Sequence, residues 1–247
     1  MAATDKRRER ENLIADCMKQ KGFTYVAYVR QPPQQSDIQK RVTSGDYEAM
    51  KETRAKYGFG VFASFVYAKE AAEEAKKRPE EKDPNDAIKK GLPDSQREIY
   101  EKASTDCFVA AVKQVYGLKI KTLRDFSMMT ADSIEGIDKE LNGDPKLLEL
   151  ADAFATCLTG KQEEVTSTKP TDLNSRGGAF WATQVDKVPG KRADGSLPPD
   201  VARPYLTKEI KSALVDLECG KDFYAAYSPK YVQLEDAARA KFGFVQP

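Results

Sequence analysis

Apolar residues in this chain recur mostly at every third or fourth position with charged residues between them, the spacing of helices that bury one face. Over 5–21 the stripe is Leu13, Ile14, Cys17 and Met18, and Gly22 supplies a left-handed stop. Phe23, Tyr25 and Ala27 then alternate with Thr24, Val26 and Tyr28, so the period falls to two and predicts a short β or extended segment near 23–29. Gln31-Pro32-Pro33-Gln34 closes it. A second helix is expected over 46–57, with Tyr47, Met50, Arg54 and Tyr57 on one side and Gly58 beyond. The stretch 61–78 is helical by Glu70 on propensity, and KKRPEEKDPND, charged and holding two prolines, reads as an exposed loop.

Further helices are expected over 94–103, 105–116 and 131–141. Asp144-Pro145 is an N-cap followed by proline at the first helical position, and Leu147, Leu150, Ala151, Phe154 and Leu158 form the stripe behind it, ending at Gly160. From 161 to 204 the chain is rich in Gly, Pro, Ser and Thr with little periodicity, which predicts a long loop of the kind that serves binding. Periodicity returns when Thr207 caps a helix carrying Ile210, Ala213, Leu214 and Leu217. Ser228-Pro229 opens a last one with Tyr231, Leu234, Ala238 and Phe242 on one face. The fold class is therefore mostly α: a single helical domain over 1–247, with candidate halves 1–118 and 119–247.

Composition narrows the function classes. Forty Lys and Arg against 39 Asp and Glu leave a formal charge of +1, so no global field gathers nucleic acid or an anionic membrane. Val61 to Ala68 is the longest mostly apolar run, far short of the roughly 20 residues that cross a bilayer. The start, MAATDKRRERENLIADC, has basic residues but no apolar core behind them; a cytosolic protein and a mature exported domain both fit it.

The cysteines separate those two readings. Cys17, Cys107, Cys157 and Cys219 form no close pair of the kind zinc sites use, and the chain has no histidine, which leaves no expected metal or cofactor. The missing histidine also removes Cys-His nucleophiles, Ser-His-Asp triads and HExxH metalloprotease chemistry. Cys17-Met18 and Cys157-Leu158 each precede a glycine, and each is answered far downstream by an acid and a cysteine, Asp106-Cys107 and Glu218-Cys219. That repeated order favours two pseudo-repeated halves stapled by Cys17–Cys107 and Cys157–Cys219, with the other two connectivities still open. Bridges of this kind persist in oxidising compartments.

Cys17-Met18 with Gly22-Phe23 and Tyr25, Tyr57-Gly58-Phe59-Gly60, Pro84-Asn85-Asp86 ahead of Tyr100, Asp106-Cys107, Phe154 before Cys157, and Glu218-Cys219 together resemble a group of exported actinobacterial proteins. Many of that group look like lipoproteins, and their function is unassigned. The resemblance covers about residues 10 to 240. It implies an envelope or secreted location, a helical disulfide-bonded fold and no catalytic residue.

Other chemistry is weaker. Gly58-Phe59-Gly60-Val61-Phe62-Ala63 has the letters of a dinucleotide fingerprint, but a helix precedes it where that mechanism needs a strand. Paired carboxylates hydrolyse glycosides without histidine, yet 39 acids nominate no pair. Most of the crowded aromatics of the first third belong to a core. The only tryptophan stands in Arg176-Gly177-Gly178-Ala179-Phe180-Trp181, so Arg176, Phe180 and Trp181 are the candidate binding surface, against the plainer reading of Trp181 as an anchor folded onto its own domain.

The expectation is a non-catalytic exported or cell-envelope binding module for another envelope protein or a small solute. Its precursor has room for a lipid anchor, and the chain for self-association. The alternatives are a secreted carboxylate hydrolase and a structural subunit of a surface assembly.

Overall fold

The computed structural model describes residues 3–31, 34–77 and 82–243; Pro32, Pro33 and the 78–81 part of the charged loop expected from sequence lie outside the described residues. In chain order the helices are α1 (Ala3–Gln20), α2 (Asp37–Thr43), α3 (Tyr47–Tyr57), α4 (Ala63–Val66), α5 (Ala68–Lys77) and α6 (Pro84–Lys90). They continue with α7 (Asp94–Tyr116), α8 (Leu123–Gly143), α9 (Pro145–Gly160), α10 (Pro170–Val185), α11 (Pro199–Cys219) and α12 (Lys221–Phe242). Local chemistry sets many of the starts. Ser36 and Gln39 form a capping box on α2, Asp46 accepts the Ala49 N–H on α3, and Asp83 and Asp144 cap α6 and α9 just ahead of a proline.

Four expectations are corrected. Among the described residues there is no strand: the segment near 23–29 has no second strand beside it, and the Asn85 side chain instead takes both the N–H and the C=O of Val26 at 2.8 and 2.9 Å. The supposed long loop 161–204 holds the whole of α10 and the start of α11, since Pro170 and Pro199 sit in first helical turns, where a missing N–H costs nothing. The helices expected over 94–103 and 105–116 are one, α7. Pro229 lies inside α12 rather than opening it.

The chain forms two compact units that interleave along the sequence: 1–34, 80–136 and 234–247 in the first, 35–79 and 137–233 in the second. In the first, α1 lies along α7, with Ile14, Met18, Tyr100, Ala103, Cys107 and Ala111 as a common core, and Cys17–Cys107 joins the two helices with Cα atoms 5.7 Å apart. The Tyr25 hydroxyl donates to Glu11 there, and burial, followed by that carboxylate, pushes its pKa up.

In the second unit α11 is the central helix, packed by α3, α4, α9 and α10. Phe62, Ala63, Val66, Trp181, Val188, Leu197, Ala202 and Leu206 form one core around it. Cys157–Cys219 ties α9 to α11 with Cα atoms 5.5 Å apart. No free cysteine remains, and among the described residues no helix is long and apolar enough to cross a membrane.

Candidate ligand groove

Helix α10 carries two faces of opposite character. Leu173, Gly177 and Trp181, four residues apart, are buried. Gly177 is required by its neighbour: a Cβ there would stand 2.1 Å from the Phe59 ring, so this glycine permits a close helix contact. The opposite face presents Asp172, Ser175, Arg176, Ala179, Phe180, Thr183 and Gln184. With Lys187, and with Glu164, Thr166 and Ser167 of the preceding loop, it lines an open groove of about 500 Å³.

Beneath the groove is a charge-balanced buried network. Arg176, whose side chain is only 8 % exposed, reaches Glu163 Oε2 and Asp216 Oδ2 at 3.3 Å each and donates to the Glu164 carbonyl. Asp216 is fully buried and also accepts from Arg54 Nη1 and from the Tyr224 hydroxyl, both at 2.6 Å. Ser212 donates to Glu163 at 2.9 Å, and the Arg54 guanidinium lies 4.7 Å from the Tyr224 ring centroid and 5.3 Å from that of Phe59. Burial, reinforced by Asp216, raises the Tyr224 pKa and holds that hydroxyl as a donor. Two arginines thus face two carboxylates, the condition under which charge tolerates burial.

A second buried acid, Glu209, explains Gly58. Gly58 adopts φ +59°, ends α3, and leaves room for the Glu209 side chain, which a Cβ would approach to 2.8 Å. The N–H groups of Val61 and Phe62 then donate to the two Glu209 oxygens at 2.9 and 2.8 Å. The turn behind Gly58-Phe59-Gly60 therefore does present amides, those of Val61 and Phe62, to an anion, and the anion is this chain's own carboxylate. Burial pushes the Glu209 pKa up, against the pull of those amides.

Of the three residues flagged from sequence, Arg176 and Phe180 meet in the groove. Trp181 turns the other way, 8 % exposed, edge-on to Phe62 and to Phe180 at centroid distances of 6.0 and 5.6 Å. Sequence reasoning missed Glu163, Asp216, Arg54 and Tyr224. The one available signal is that Glu209 and Asp216 fall on the α11 stripe with Ala202, Leu206 and Ala213, acids where apolar residues belong.

Two other hollows lack such a base. One of about 380 Å³ in the first unit lies between Phe23, Ile88 and Tyr100. One of about 580 Å³ beside Tyr57 and Tyr67 already has Lys56 over both rings, at 4.8 and 5.3 Å. Comparison of this chain with protein-family models, with curated proteins and with solved structures found no match.

Proposed function

We propose that this protein is an extracytoplasmic binding module, secreted or held at a cell envelope, that takes its ligand in the α10 groove and performs no chemistry on it. The observation that carries this reading is Arg176, fixed at the groove floor by the buried Asp216 and the half-buried Glu163. A buried ion group is at best neutral for stability against apolar packing of the same volume, so its presence beneath an open groove points to positioning.

Binding is favoured over catalysis because the buried acids are already engaged. Asp216 accepts three donors and Glu209 two, which leaves neither as a free general base. The location rests on two closed disulfides with no free thiol, which suit an oxidising compartment, and on the resemblance to exported actinobacterial proteins, lipid-anchored forms included.

A thermal-shift screen of the oxidised protein against small solutes tests the reading. A ligand should raise the melting temperature of the wild type and lose that effect in Phe180→Ala. A ligand whose effect survives Phe180→Ala binds elsewhere and refutes the groove.

A further inference from the structure

We propose that the ligand of the α10 groove is a neutral saccharide, an inference that rests on the groove being the binding site and adds its chemical class. The walls carry three hydroxyl groups whose protons are already committed. Ser167 donates to Asp172 Oδ2 at 2.6 Å, Ser175 to the Thr171 carbonyl at 3.1 Å, and Thr183 to the Phe180 carbonyl at 2.7 Å. Ser167 and Thr183 each spend one lone pair on a neighbour, the Lys169 N–H and the Gln184 amide, and keep the other, while the Ser175 oxygen keeps its accepting capacity. The other Asp172 oxygen and the Glu164 carboxylate add acceptors. Gln184 donates one proton to Thr183 at 3.0 Å and keeps its carbonyl and a second proton, and Lys187 supplies a cationic donor at the same end.

A ligand filling this groove must donate at several closely spaced points, accept at the Gln184 and Lys187 end, and cover Phe180, which is 36 % exposed. Vicinal hydroxyls on a sugar ring do both, and the C–H face of the ring covers an aromatic side chain. Anions meet Glu164 and Asp172, and the charge of Arg176 is already balanced by Glu163 and Asp216. A polyamine has no acceptor for Lys187. A peptide carries one donor and one acceptor per residue, too sparse for this wall. The volume of about 500 Å³ lies in the range of small-ligand sites, about 300–1,000 Å³.

The test is calorimetric titration of the intact, oxidised protein with maltotriose, mannotriose and chitotriose, alongside a neutral-glycan array, with spermidine and inorganic phosphate as charged comparators. At least one neutral glycan should bind in the micromolar to millimolar range, and Phe180→Ala and Asp172→Asn should each weaken it by about tenfold or more. The helical circular dichroism and the cooperative denaturant unfolding of both variants should be retained as in the wild type, which separates lost binding from lost folding. Binding of spermidine or phosphate that Phe180→Ala abolishes, with no glycan bound, would overturn the saccharide and leave the groove standing. Glycan binding indifferent to Phe180→Ala would overturn both, and silence from every neutral glycan would overturn the saccharide.

Discussion

At Asp216 one fully buried carboxylate carries three donors, two of them on arginines that reach water poorly. Asp216→Ala removes the charge that compensates Arg54 and Arg176 and strands the Tyr224 hydroxyl. The expected loss of stability is about 3–5 kcal/mol, the cost of an uncompensated buried charge, read by denaturant unfolding followed through Trp181 emission. Glu209 behaves differently because its folded pKa is raised. The folded state then holds the proton more tightly than the unfolded chain. Its contribution to stability is fully present below the ordinary glutamate range and is lost as pH rises through the folded value. The difference in stability between wild type and Glu209→Gln should therefore move against the wild type as pH rises across that window. A difference independent of pH would contradict the raised pKa. Arg176 and Phe180 were legible from their place beside the only tryptophan. Asp216 was not, since Arg54 lies 162 residues away from it and local patterns hold no record of that approach.

Among the elements, capping was legible in part: Thr207 and Ser228-Pro229, read as helix starts, lie inside α11 and α12, while other caps hold. Asp46, Asp144-Pro145 and Gly58 mark real boundaries, because a cap acts within a few residues and its chemistry is visible in sequence. Asp144 accepts from the amides of Lys146 and Leu147 and pairs with Lys230; the Lys230 bond first, then the Leu147 amide, hold its pKa below the usual carboxylate range. Its contribution is present above the unfolded value and is lost as pH falls through the folded one. Asp144→Ala should cost about 1 kcal/mol at neutral pH and progressively less on acidification, measured by urea unfolding across a pH series. Helix α10 was illegible for the converse reason. Its two glycines lower helix propensity, and what restores the helix is tertiary, the fit of Gly177 against Phe59. Gly177→Ala improves local propensity yet places a methyl in that ring, so it should destabilise by about 1–3 kcal/mol. A stabilised variant would show that the helix docks loosely and that the glycine is not required.

Across the whole molecule, both units are assembled from segments far apart in sequence, and each holds one disulfide: Cys17–Cys107 joins two segments of the first, and Cys157–Cys219 closes within the 137–233 segment of the second. The bridges close 90 and 62 residues of chain, and in the chain-entropy account each restricts the unfolded state by about 4 to 5 kcal/mol before native strain and residual structure reduce it. That is a large share of the roughly 5–15 kcal/mol by which folded domains exceed their unfolded chains. The repeated order of the cysteines made the pairing readable; the interleaving of the units was not, because nothing local marks which segments close on one another. Trp181 lies in the second unit, so Cys157→Ser/Cys219→Ser should move its unfolding transition to lower denaturant, whereas the matching loss for Cys17→Ser/Cys107→Ser is read in helical circular dichroism. Both shifts should be reproduced in the wild type by a thiol reductant, and intact mass without reductant should show no alkylatable thiol. A chain that lost this much on reduction would not hold its fold where thiols are kept reduced, and that outcome would support the proposed oxidising compartment. If the reduced protein unfolds at the same denaturant concentration as the oxidised one, the bridges carry no stability, and the proposal that this protein works outside the cytoplasm loses its physical support.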